Sequence, residues 1–272
     1  MYHKIIGTLT FSTNPIGLFD SGLGGISIWQ AVHSMLPRES TLYLADSKHA
    51  PYGEKSKEEI LALAEKNTEY LLSENCKLIV VACNTATTQA ISHLRNKYKV
   101  PFIGIEPAIK PAALDTKTNK IGVLATKGTL TSALFHSTAT MHAAGVEVFE
   151  REGTGLVGRV EKGELDGPEL EAHLRQLVQP MLDEGVDQLV LGCTHYPFLI
   201  PSLQKVLPES VTIVDCSFAI ARQTAAILLQ NGLENTSDIR PQHRFYTNGE
   251  LALLTQFVPH NRPNFTVAYL DF

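Results

Sequence analysis

The sequence has little cysteine, a single tryptophan and no excess of positive charge. Its four cysteines, at positions 76, 83, 193 and 216, form no Cys-x-x-Cys pair, which disfavours a zinc finger or ribbon. Lys and Arg number 23 against 28 Asp and Glu, a formal charge of −5. No basic surplus is available for counterion release, so no nucleic-acid partner is expected. Apolar runs such as 78–83 are far shorter than the roughly 20 residues that cross a bilayer, so no membrane partner is expected either. Residues 1–14 alternate polar and apolar side chains without the apolar stretch of a signal peptide, which makes a reducing cytoplasm the expected compartment and disulfides unexpected. What is present, 272 residues of which 44% are hydrophobic and 19% charged, suffices for one or two globular domains with a substantial core.

Short apolar runs alternate with longer amphipathic segments, the pattern of β-α units around a mainly parallel sheet. Strands are predicted over 16–19, 42–45, 78–82, 102–105, 121–125, 146–149, 189–192 and 211–214, with a closing strand at 266–270. A helix over 56–75 opens with the capping box Ser56-x-x-Glu59, and one over 168–184 opens on Pro168, contains Pro180 and stops at Gly185. A short helix is expected over 251–258.

A weak internal repeat organises these elements. Asn14-Pro-Ile-Gly-Leu-Phe-Asp-Ser-Gly matches Asn119-Lys-Ile-Gly-Val-Leu-Ala-Thr-Lys-Gly, and Leu78-Ile-Val-Val-Ala-Cys-Asn-Thr matches Gln188-Leu-Val-Leu-Gly-Cys-Thr-His. The spacing agrees too: Cys83 stands 63 residues after Asp20, and Cys193 stands 68 after Ala125. The expected fold is therefore α/β, with two pseudo-symmetric halves, mainly parallel sheets and the active site in the cleft between them.

Ligands of open parallel sheets bind at the carboxyl ends of the strands. Cys83 and Cys193 fall on that edge, at the start of the following helix, where backbone N–H groups and the helix dipole favour a thiolate. Cys76, in a polar turn, and Cys216 read as packing residues. Two matched thiols in facing halves suit proton transfer at a carbon centre, one removing a proton from one face and the other delivering one to the opposite face. An ordinary thiol is only a few per cent ionised at about pH 7, so each needs an activating neighbour. His195 is the candidate for Cys193, and Asp20 for Cys83. Gly22-Leu-Gly-Gly25 lacks dinucleotide-loop spacing and reads as a carboxylate-binding nest. Pro51-Tyr52-Gly53 is a turn from which Tyr52 can line a pocket. Cys83, Cys193 and His195 with a further ligand are also a set that zinc could use, the lesser alternative. No lysine has the context of a pyridoxal Schiff base.

These residues carry a family resemblance. Ile16-Gly-Leu-Phe-Asp-Ser-Gly-Leu-Gly-Gly25, Ala45-Asp-Ser-Lys-His-Ala-Pro-Tyr-Gly-Glu54, Val81-Ala-Cys-Asn-Thr-Ala-Thr-Thr88, Gly104-Ile-Glu-Pro-Ala-Ile-Lys-Pro-Ala112 and Leu189-Val-Leu-Gly-Cys-Thr-His-Tyr-Pro-Phe-Leu199 resemble the glutamate racemases of the aspartate/glutamate racemase superfamily, in family order over most of the chain. The resemblance implies cofactor-independent interconversion of L- and D-glutamate, with free glutamate as the partner and the D isomer supplied to peptidoglycan. It makes Cys83 and Cys193 the catalytic thiols, Cys83 deprotonating D-glutamate and Cys193 L-glutamate, with Asp20 and His195 assisting and no metal. It implies that Asp20, Ser21, Tyr52, Gly53, Asn84, Thr85, Thr126, Thr194 and His195 hold the substrate. It further implies a discontinuous first domain, 1–105 with 216–272, a second domain over 106–215, and a homodimer among the assemblies allowed. Segment 149–165 lacks the Cys-Pro and Phe-Val-Pro steps common in the family, so no role is carried over for Glu152 or Glu161.

Two other readings stay open. One is a racemase of another acidic amino acid, although the aspartate racemases of the superfamily tend to carry Glu where this chain has His195. The other is a non-catalytic, two-lobed amino-acid-binding protein.

Overall fold

The apolar runs become strands because both of their faces are covered. In the computed structural model, which describes residues 12–272, every residue of β1 (Ile16–Asp20), β2 (Thr41–Ala45) and β3 (Leu78–Val81) is buried. Such continuous apolar runs mark a parallel sheet sandwiched between helices. The remaining strands are β4 (Phe102–Gly104), β5 (Lys120–Ala125), β6 (Glu147–Glu152), β7 (Gln188–Gly192), β8 (Thr212–Val214), β9 (His243–Thr247) and β10 (Phe265–Tyr269). They form a six-stranded sheet in the order β10-β9-β2-β1-β3-β4 and a four-stranded sheet in the order β6-β5-β7-β8, with neighbouring strands parallel throughout.

The two orders correspond. Replacing β2, β1, β3 and β4 by β6, β5, β7 and β8 turns the inner part of one sheet into the other. The repeat detected in the sequence therefore lies on equivalent strands: β1 and β5 share one position, β3 and β7 the next. Because each pair runs in parallel, Asp20 and Cys83 emerge at the carboxyl edge of one sheet and Thr126 and Cys193 at that of the other.

Helix boundaries follow the local chemistry. The Lys57–Ser73 helix starts from Ser56, whose hydroxyl accepts from the Glu59 amide while the Glu59 carboxylate accepts from the Ser56 amide; this capping box is worth about 1 kcal/mol. The Pro168–Asp183 helix continues past Pro180, and Gly185, at φ 84°, supplies the left-handed turn that ends the segment. The expected helix at 251–258 is observed as Leu251–Phe257.

Two strand expectations need correction. β6 extends to Glu152 rather than ending at 149; its Glu-Val-Phe-Glu-Arg-Glu sequence belongs to an edge strand, where charge discourages further pairing. β9 was not expected at all. Its buried residues, His243, Phe245 and Thr247, alternate with the half-buried Arg244 and Tyr246, so the period is carried partly by polar side chains and hydropathy misses it. β9 matters because it inserts between β2 and β10 and brings the C-terminal segment to the sheet edge where the site lies.

One buried cluster runs without a break from Leu18 and Val80 of the first sheet to Val123 and Val190 of the second. Separate clusters cover the outer faces, around Ile60, Leu71 and Leu94 on one side and Leu174, Val178 and Leu203 on the other. Among the described residues no helix is long and apolar enough to cross a membrane. The reading of residues 1–14 falls for the most part outside the described residues.

Candidate active site

β1 ends on Asp20, which is completely buried. Its Oδ2 accepts from the Gly25 amide at 2.8 Å, and Thr194 Oγ1 donates to its Oδ1 at 3.4 Å, a bond that joins the two halves. Burial raises the Asp20 carboxyl to about 6, although the nearby His195 charge and the Gly25 amide pull it down.

β3 delivers Cys83 as the N-cap of the Asn84–Lys97 helix. The Ala86 amide donates to its sulfur at 3.4 Å, and the thiol lies 3.7 Å from Ser21 Oγ. Burial, followed by the Asp20 charge, pushes the Cys83 thiol well above its ordinary range. An ionised Asp20 therefore keeps Cys83 protonated, the reverse of an activating neighbour for a base. It suits Cys83 to the role of proton donor.

β7 delivers Cys193, 6% exposed, and its Sγ lies 3.7 Å from His195 Nδ1. The other ring nitrogen, Nε2, donates to Glu161 Oε1 at 2.5 Å. Burial opposes a charge on His195, but the bonds and charges of Cys193 and Glu161 outweigh it and hold the imidazole well above its usual pKa. The two cysteines are thus equivalent in topology but differ in their neighbours, Cys193 lying beside an imidazole and Cys83 near a buried carboxylate.

Glu161 is the residue that sequence reasoning missed. Besides His195, its carboxylate accepts from the Leu23 amide at 2.6 Å and from Ser47 Oγ at 3.1 Å, so it spans both halves. Its signal was hidden in the divergent segment 149–165. The nest reading of Gly22–Gly25 is corrected accordingly: its amides serve the protein's own carboxylates, Gly25 that of Asp20 and Leu23 that of Glu161. The glycines are required by close approach. A Cβ on Gly24 would sit 2.3 Å from His195 Nδ1, and one on Gly22 2.0 Å from Glu161 Oε1.

Of the remaining expected residues, Gly53, Thr85, Thr126 and Thr194 make contacts between the two halves. Thr85 Oγ1 and Thr126 Oγ1 meet across the halves at 2.9 Å, and Gly53 packs so tightly on Thr126 that a Cβ there would lie 2.9 Å from the threonine Cβ. Asn84, 3% exposed, has no hydrogen-bond partner for either side-chain polar atom, which is costly unless a ligand supplies one. Tyr52 is buried, but its hydroxyl donates to Asp46 Oδ2, so it can shape the pocket without giving its hydroxyl to a ligand. Cys76 and Cys216 lie buried and free, both pushed up to about 12 by burial, as packing residues should be. Among the described residues no three His, Cys, Asp or Glu side chains converge to hold a metal ion. A cavity of about 200 Å³ opens beside Gly53 and Thr126, bounded by Pro51, Lys127 and Glu152. Neither this cavity nor a wider groove of about 800 Å³, between residues 95–104 and Gln223, Ile227 and Asn231, is lined by either cysteine of the pair.

Known proteins resemble this chain in sequence and in fold. The family model described as Asp/Glu/Hydantoin racemase matches residues 25–224. The chain belongs to this racemase family. A glutamate racemase of Ectopseudomonas mendocina is 44% identical over 249 residues, 91% of this chain and 94% of that protein. The crystal structure of a glutamate racemase isoform from Bacillus anthracis superposes with a TM-score of 0.83 at 31% identity, covering 95% of this chain and 98% of that one. A Francisella tularensis glutamate racemase solved in complex with D-glutamate gives 0.81 at 28% identity, over 94% of this chain and 98% of that one. In this family setting, the topological equivalence of Cys83 and Cys193 and the difference between their neighbours become the features to explain.

Proposed function

We propose that the chain interconverts L- and D-glutamate without a cofactor, by proton transfer between Cys83 and Cys193, and so supplies D-glutamate for peptidoglycan. The observation that carries the reading is the placement of two thiols after equivalent strands of two facing sheets, one beside an imidazole and the other kept protonated by a buried carboxylate. The similarity to glutamate racemases over most of the chain supports the substrate.

In this reading the Cys193 thiolate, paired with the His195 imidazolium, removes the Cα proton of L-glutamate, and the electron pair stays on carbon. The Cys83 thiol then delivers its own proton to the opposite face, giving D-glutamate. Cys193 ends as thiol and Cys83 as thiolate, the state that runs the reverse reaction. A proton must then move from Cys193 to Cys83 through solvent to restore the starting state. Asn84 offers both an unpaired donor and an unpaired acceptor to the substrate, with Ser21, Thr85, Thr126, Thr194 and the Tyr52–Gly53 turn completing its polar wall. Residues 1–105 with 216–272 form one domain of this enzyme and 106–215 the other, a division supported by the separation of β1–β4, β9 and β10 from β5–β8. The net charge of −5 supports action on a free metabolite in the cytoplasm rather than on nucleic acid.

The deciding experiment incubates each enantiomer in deuterated water and follows Cα deuterium and optical rotation. Inversion with deuterium incorporation is expected from both enantiomers. Tight glutamate binding without Cα exchange would move the protein to the two-lobed binding class, and faster turnover of aspartate would make it a racemase of the other acidic amino acid.

A further inference from the structure

One buried hydrogen-bond network lies behind the site, and of its members only Tyr52 enters the mechanism above. Asn248, 4% exposed, follows β9 and reaches the loop after β2. Its Nδ2 donates to Asp46 Oδ1 at 2.5 Å, and its Oδ1 accepts from the Lys48 amide at 3.0 Å. Asp46 carries this contact onward: His49 Nδ1 also bonds its Oδ1 at 2.6 Å, while its Oδ2 accepts from Tyr52 OH at 2.5 Å. Asn67 Nδ2 donates to the same phenol oxygen at 3.3 Å. Burial and the Asp46 charge raise the phenol far above its ordinary pKa, so Tyr52 remains a donor to Asp46 at any working pH.

The next residue touches the other half of the site. Gly249 comes so close to Ser47 that a Cβ would lie 2.6 Å from the serine Cβ, and Ser47 Oγ donates to Glu161 Oε2. Two adjacent C-terminal residues therefore govern both branches of the loop. One branch leads to Tyr52 and Gly53, the other through Ser47 to Glu161 and His195. Asn248 must both donate to a carboxylate and accept from an amide. Aspartate would set two carboxylates against each other, and an aliphatic residue would leave buried Asp46 and the Lys48 amide short of partners.

We propose that Asn248 is a positioning residue for the racemisation site, holding the 46–54 loop so that the Tyr52–Gly53 turn forms the substrate wall, while Gly249 fixes Ser47 for Glu161. The inference rests on the racemase reading for its kinetic consequence and on geometry alone for its structural one.

Two measurements separate these. In Asn248→Ala, amide hydrogen exchange over 46–54 should accelerate at least about tenfold while the β5–β8 sheet exchanges as before. In the same variant KM for glutamate should rise roughly tenfold, with kcat falling less, as expected when a charge-assisted bond that orders a binding loop is lost. Gly249→Ala should show the opposite split, a larger loss in kcat than in KM, because it displaces Ser47 from Glu161. Asn248→Ala combined with Tyr52→Phe should be non-additive, since both act through Asp46. A variant that merely destabilises the fold would lower Tm and leave KM alone. Asn248→Ser, which keeps a hydroxyl that can both donate and accept, should recover part of the KM, and Asn248→Asp, which sets a second carboxylate against Asp46, serves as the test if the alanine variant does not fold. Wild-type loop exchange in the alanine or aspartate variant, or additive effects in the double variant, would overturn the proposal. Failure of the wild-type protein to exchange the Cα hydrogen would defeat the racemase reading, and with it the kinetic claim, while loop exchange still decides whether Asn248 holds the loop.

Discussion

His195 Nε2 lies 2.5 Å from Glu161 Oε1, although Glu161 comes from a segment whose sequence departs from the family pattern. Together with Cys193, the contact raises the pKa of the buried imidazole well above its usual value, and it makes Glu161 a positioning residue for Cys193. Glu161→Gln keeps the size and an acceptor oxygen but removes the charge. The His195 pKa, held up by Cys193 and Glu161, should fall, so that the imidazolium is lost at lower pH. The alkaline limb of the L-glutamate kcat profile should move to lower pH, and kcat at its optimum should drop about tenfold or more. An unchanged pH profile would leave Glu161 with only a structural role.

Gly24 tests the same ring from the other side. Its φ is not in the left-handed region, so alanine is acceptable to the backbone and the effect is purely steric. The added Cβ would fall 2.3 Å from His195 Nδ1, and the ring, pinned by Glu161, has little room to yield. Overpacking of this kind costs about 1–3 kcal/mol, measurable by denaturant unfolding. The displaced nitrogen should uncouple from Cys193 and lower L-glutamate kcat more than D-glutamate kcat. Because enantiomers have equal free energy, kcat/KM must remain equal in the two directions, so the ratio of KM for L-glutamate to KM for D-glutamate must fall in the same proportion.

How far the sequence alone reached can be judged from these residues. Asp20, Cys83, Thr126, Cys193 and His195 were legible because strand ends of a parallel sheet are marked by an apolar run followed abruptly by polar residues, and because the repeat marked them twice. Glu161 was not legible, since nothing local sets apart one glutamate in Glu-Lys-Gly-Glu; its role arises from a contact 34 residues away with His195. Asn248 stayed hidden for a related reason. β9 buries His243 and Thr247 among its inward side chains, so hydropathy showed no strand there to carry Asn248 to the sheet edge. Long-range polar contacts leave no period for a sequence to display.

Asp20 makes a prediction about stability with its own sign. Its folded carboxyl is raised to about 6 against an ordinary 3.8, so the folded state holds the proton more tightly than the unfolded one. The associated stability is fully present below about pH 3.8 and is lost as pH rises through about 6, on the order of 3 kcal/mol in all. Asp20→Asn should therefore gain in Tm relative to the wild type on going from pH 4 to pH 8, while losing racemase activity. Parallel Tm profiles for the two proteins would show that the carboxyl is not raised.

The sharpest prediction concerns the cysteine pair. Serine in place of either thiol keeps the shape but supplies neither a thiolate nor an acid of matching strength, so Cys83→Ser and Cys193→Ser should each lose about 100-fold to 10,000-fold of racemisation, with a Tm close to that of the wild type. The two variants should nevertheless differ. Cys83→Ser retains Cys193 with its His195 and Glu161 partners, and should still exchange the Cα hydrogen of L-glutamate for deuterium without inversion. Cys193→Ser retains Cys83, whose thiol is kept protonated by burial and Asp20, so its exchange of D-glutamate should be slower and should require a higher pH. Mass spectrometry of each enantiomer after incubation in deuterated water reads both outcomes. Exchange of the opposite enantiomer by each variant would reverse the assignment of thiols to faces, and full racemisation by either variant would exclude two-cysteine chemistry at this site.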